Sequence, residues 1–184
     1  MAGSTMTDLR FYGFWLLAFL AFPIAGLAAS WATGGITDVA RALLGGAIAG
    51  AVLGLAQYAV LRLALPIGWL WVAASSVGLA AGLALATLGF GTEVTGPNLL
   101  WRGLVAGGVL ALAQAAVLLP AAAPLALIWG IVVALGWPMG WWITRSVGVD
   151  LSPRWAVFGA SGALSFQLLT GGALYFGLRL LAAR

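Results

Sequence analysis

Three glutamines, Gln57, Gln114 and Gln167, stand at intervals of 57 and 53 residues, each inside a long apolar run. In such a run an unpaired amide is costly, so each is expected to find a partner. A carboxamide donates and accepts hydrogen bonds but has no charge change near neutral pH. With Ser75, Ser76, Ser161 and Ser165 on the same stretches of chain, the glutamines form a candidate polar site within the membrane. That site suits a neutral or largely apolar small ligand, or hydrogen bonds from helix to helix. Bonds of the second kind are worth about 0.6 kcal/mol each on average, so they orient helices more than they hold them.

The residue types that are missing narrow the chemistry further. The chain has no His, no Cys and no Lys; eight Arg and four acids are its whole charged inventory. Disulfides, thiolate metal sites and His-ligated haem are thereby excluded. A nucleophile with its base, a metal cage or a pair of carboxylates cannot be assembled, so no catalytic residue, metal or cofactor is expected and the chain reads as a non-enzyme. No carboxylate lies inside an apolar run, which disfavours proton-coupled pumping. A net charge of +4 is too small to argue for nucleic acid.

The elements that hold these residues are membrane spans. Apolar residues make up 64% of the 184 and charged ones 7%, where a water-soluble domain carries roughly a quarter charged. Uncharged runs cover residues 11–37, 42–61, 63–92, 103–144 and 155–178. About 20 residues cross the hydrocarbon core, so the 42-residue run 103–144 holds two crossings, broken at Pro120 and Pro124. The expected fold is an all-α integral membrane protein, a single polytopic transmembrane domain over residues 1–184. Its six transmembrane helices are placed near 11–32, 40–62, 68–90, 99–119, 123–144 and 155–178. Thr37 and Asp38 cap the second, Pro97 and Asn98 start the fourth, and Ser152 with Pro153 starts the sixth. Pro23 and Pro138 are expected to kink the first and fifth.

Spacing within the helices points to a threefold repeat of helical hairpins, over about 11–62, 68–119 and 123–178. Gly50, Gly107 and Ala160 lie seven residues before the three glutamines, and Gly46, Gly103 and Ala156 eleven before. Trp15, Trp71 and Trp129 are each followed eleven residues later by Gly26, Gly82 and Gly140. Seven and eleven residues are two and three helical turns, so each set shares one face. Together the hairpins predict a pseudo-threefold bundle.

Small residues four apart, Gly46, Gly50 and Gly54, Gly78 and Gly82, Gly103 and Gly107, and Gly136 and Gly140, let helix backbones approach. They are helix-packing positions, within the chain or against partner spans. The loop charges Asp38 with Arg41, Glu93 with Arg102, and Asp150 with Arg154 are candidate ion pairs on the face opposite the termini. Trp15, Trp69, Trp71 and Trp129 on one side, and Trp31, Trp101, Trp141, Trp142 and Trp155 on the other, are expected to form two belts at headgroup level. Arginines divide evenly, with Arg10, Arg62, Arg179 and Arg184 on the terminal face. The acids opposite tilt the reading toward cytoplasmic termini, in a bacterial cytoplasmic membrane. The expected role is an accessory or scaffold subunit of a larger membrane protein complex, with the bilayer and other transmembrane subunits as partners. The alternative is a small permease, or a membrane substrate-binding component for transport of a neutral or apolar solute.

Overall fold

The structure, a computed structural model, describes residues 2–182. Among them every regular element is helical: α1 Ala2–Leu17, α2 Ala21–Thr33, α3 Val39–Leu61, α4 Leu70–Phe90, α5 Gly96–Ser146 and α6 Ala160–Ala182. A single 3-10 turn, Ala18–Leu20, joins α1 to α2. It lies one turn before Pro23, whose missing N–H and bulky ring disturb the ladder just upstream. Five stretches are long and apolar enough to cross a bilayer: Arg10–Thr33, Val39–Leu61, Leu70–Phe90, Gly96–Ser146 and Ala160–Leu181. The chain has the architecture of an integral membrane protein.

Helix α5 holds 51 residues but does not run straight, because Ala122, at φ −154° and ψ 62°, breaks it between Pro120 and Pro124. Its two arms fold back on each other. A Cβ added at Gly103 would sit 2.8 Å from the Cα of Pro138, and one at Gly130 3.7 Å from the Cβ of Ala115. Successive elements pack side by side from α2 to α3, α4, α5 and α6, and α6 returns to α1 and α2. The helices therefore close into a ring.

Glycine makes this closeness attainable. A Cβ at Gly46 would lie 2.6 Å from the Cα of Ala80, at Gly54 2.7 Å from Ser75, and Gly50 meets the Ser75 carbonyl. Gly78 and Gly82 on α4 abut Ala113 and Ala106 on the first arm of α5, and Gly107 abuts Trp137 on the second. Gly136 and Gly140 face the rings of Phe166 and Phe158. All these contacts are within the chain. Large aliphatic side chains turn outward instead, among them Leu112 at 74% and Leu70 at 72% exposed, as a lipid-facing surface requires.

Three expectations need correction. Helix α6 begins at Ala160 and not near 155, because the chain from Val147 to Gly159 takes other bonds. Asp150 accepts from the backbone N–H and the hydroxyl of Ser152, Ile36 N–H donates to the Arg154 carbonyl at 2.9 Å, and Gly159 N–H donates to Thr144 Oγ1 at 3.1 Å. The Pro153 carbonyl sits where a Cβ of Gly35 would be. Second, Trp141 of the predicted loop-side belt is nearly buried, and Trp15, Trp71 and Trp129 are fully buried, which leaves Trp69 as the exposed indole of the predicted terminal belt. Their positions share a face with the buried glycines eleven residues on, and that face turns inward. Trp31, Trp101 and Trp142 are exposed on the other side.

Third, two of the three expected loop ion pairs, Glu93 with Arg102 and Asp150 with Arg154, do not form among the described residues. Among the described residues Arg41 pairs with Asp38, Nε to Oδ2, at 3.4 Å. Arg102 turns inward and donates to the Glu93 backbone carbonyl, not its carboxylate, and Asp150 is taken up by Ser152. Arg184 lies outside the described residues.

Candidate functional site: a buried glutamine and tryptophan network

Gln57 on α3, Ser75 on α4 and Gln114 on α5 occupy facing sides of helices that the glycine contacts draw together. Gln114 Nε2 donates to Ser75 Oγ at 2.8 Å and to Gln57 Oε1 at 3.2 Å. From the second arm of α5, Trp129 Nε1 donates to Gln114 Oε1 at 3.0 Å. Ser75 Oγ donates in turn to the Trp71 carbonyl at 2.8 Å. Gln114, 2% exposed, thus uses both ends of its amide.

Gln167 is not part of that cluster. Its Nε2 donates to the Trp15 carbonyl at 2.6 Å, and Trp15 Nε1 donates back to the Gln167 carbonyl and to Thr170 Oγ1, both at 3.2 Å. The two groups meet through their indoles. Trp129 packs edge to face on Trp15, with centroids 5.7 Å apart, and on Trp71 at 5.5 Å. Gln167 Oε1 and Trp71 Nε1 are buried without a hydrogen-bond partner among the described residues.

The serines divide. Ser76 Oγ bridges α4 to α3 by donating to the Ala47 carbonyl at 2.9 Å. Ser165 bonds back to the Ser161 carbonyl on its own helix, and Ser161 Oγ is buried without a partner among the described residues. Neither of the last two reaches the glutamines.

A second aromatic layer lies toward the loop face. Trp137 is eight residues beyond Trp129, about 12 Å along the helix. Its ring packs edge to face on Phe158 at 4.9 Å and on Phe166 at 5.6 Å, and Phe22 stacks on Phe158 at 5.0 Å. Aromatic side chains thus fill the axis of the ring at two levels. Phe158 comes from the irregular segment before α6, and no periodic signal marks it in the sequence.

Two grooves lined by described residues lie at the periphery and are apolar. One groove of about 590 Å³ runs between the arms of α5, lined by Leu100, Trp101, Leu104, Leu135 and Trp142 among others. Another, of about 490 Å³, separates α2 from the segment before α6, at Pro23, Leu27, Pro153 and Val157. At the loop face, backbone N–H donation from Arg41 holds the Asp38 carboxyl below its ordinary range, helped by the Thr37 hydroxyl and the Arg41 charge. Hydrogen bonds from Ser152 do the same for Asp150.

Fold and site define a polytopic helical membrane protein whose core is aromatic, with the three glutamines among its buried polar groups. Comparison with protein-family models, curated proteins and solved structures gives no match to this chain.

Proposed function

We propose that this chain is a non-enzymatic accessory or scaffold subunit of a larger membrane protein complex. In this reading it crosses the bilayer six times, the two arms of α5 separately, as three related hairpins. Both termini lie on the cytoplasmic face of a bacterial inner membrane. The supporting observation is the division of polar and empty space. The central amides are bonded to each other and to indoles, while the grooves are lateral, apolar and lined by exposed Leu135 and Trp101. Lateral grooves accept a neighbouring span by close packing. Gln114 pairs with Trp129 through its side chain and Gln167 with Trp15 through backbone carbonyls, two of the three Gln–Trp contacts expected of a cyclic repeat.

The same grooves also favour a second reading, a small permease or substrate-binding component for an apolar solute, since their volumes match those of ligand sites. Purification from native membranes in mild detergent, followed by mass spectrometry, separates the two. A transmembrane partner in fixed stoichiometry, released by Leu135→Trp in the α5 groove, supports the subunit. A solitary, monodisperse protein that retains a small apolar molecule supports the permease. A solitary protein with no ligand defeats both.

A further inference from the structure

Arg102 stands on the first arm of α5, just inside the loop face, and only 9% of it is exposed. Its Nη1 donates to the Glu93 carbonyl at 3.1 Å, but its Nε is buried with no hydrogen-bond partner among the described residues. A buried guanidinium with an idle donor is expensive. No carboxylate within ion-pair distance compensates it among the described residues.

A second cation faces it. Arg102 and Arg154 line one small cleft with Trp141 and Trp155, and the charge of Arg154 opposes that of Arg102. Arg154 is also held at φ 54°, a left-handed conformation that is strained for a non-glycine residue. Arg145 reaches the rim, where its Nη1 donates to the Val94 carbonyl at 3.5 Å. The start of α5 adds a further positive pole, since Thr95 caps it with no side-chain bond. Three guanidiniums thus gather about the 93–94 turn, where Glu93 is exposed.

We propose that this cleft binds a phosphate-class anion at the membrane surface, one oxygen entering between Arg102 and Arg154. The enclosed volume is about 20 Å³, room for one oxygen-sized group, so the remainder of the anion stays at the mouth. Guanidinium forks match phosphate oxygens, and exposed Trp101 and Trp142 mark this depth as the headgroup level. The phosphate belongs either to an anionic lipid headgroup or to a free ion.

The full chain in detergent distinguishes the sources. Native mass spectrometry reads binding of phosphatidylglycerol against phosphatidylcholine, and calorimetry reads binding of inorganic phosphate. Preference for phosphatidylglycerol identifies the lipid, and binding of inorganic phosphate identifies the ion. In either case Arg102→Gln and Arg154→Gln must weaken binding by about tenfold, the scale of one charge-assisted hydrogen bond, while ion-paired Arg41→Gln leaves it unchanged. If Arg102→Gln does not fold, Arg154→Gln, in a loop outside the helices, decides. Wild-type protein that binds neither probe, Arg154→Gln that binds as wild type, or equal loss in Arg41→Gln overturns the proposal.

Discussion

The indole Nε1 of Trp129 lies 3.0 Å from Oε1 of Gln114, on the opposite arm of the same interrupted helix. That bond ties the two arms of α5 together below the break at Ala122, while the Gln114 amide reaches across to α3 and α4. One side chain therefore couples four helical segments.

Gln114→Leu removes three hydrogen bonds and leaves the Trp129 indole without its acceptor. At about 0.6 kcal/mol per bond in a membrane interior, a loss of about 2 kcal/mol is expected. Gln167→Leu removes one side-chain bond, because Trp15 donates to the Gln167 backbone, and so costs less. Equilibrium unfolding in mixed micelles of increasing SDS fraction measures both. A larger loss in the Gln167 variant would contradict the network described above.

Gly82→Ala places a methyl 2.7 Å from the Ala106 carbonyl oxygen, where backbone meets backbone and neither side can yield cheaply. The expected cost is about 1–3 kcal/mol. Gly108→Ala is the matched control, since a Cβ there meets nothing within 4 Å, and a change within about 0.5 kcal/mol is expected. Thermal unfolding of the two variants in one detergent is the check.

Phe158 is 1% exposed and touches Phe22, Trp137, Trp141 and Phe166. Truncation to Ala should cost about 3–5 kcal/mol, the range for a large aromatic removed from a packed core. The same truncation at Leu127, 68% exposed, should change little. If Phe158→Ala were as mild as Leu127→Ala, the segment before α6 would not be the packed plug seen here.

Asp38 caps α3, its Oδ1 accepting from Arg41 N–H at 2.9 Å. Because folding lowers its pKa, the cap's contribution is complete above the unfolded carboxylate range. It is lost as the pH falls through the lowered folded value. Asp38→Asn keeps a cap that does not titrate, so its stability should fall less on acidification than that of the wild type. Unfolding midpoints measured from pH 6 downward test the sign.

The sequence by itself determined that the chain is helical and built for lipid, because backbone groups in hydrocarbon must pair within their own segment and charge-free runs of span length are readable by counting. The spacing of Trp15 to Gly26, Trp71 to Gly82 and Trp129 to Gly140 also held the signal that these indoles face inward, three turns above glycines that pack. Only the tertiary structure decided which groups meet. Gln57 and Gln114 share bonds while Gln167 turns to Trp15, and the residues after Ser152 leave the helix because Ile36 and Thr144, distant in sequence, supply their hydrogen bonds. Arg102 is likewise buried by neighbours on other segments. Periodicity reports the face a residue occupies on its own helix; what lies across from that face depends on the packing of segments far apart along the chain.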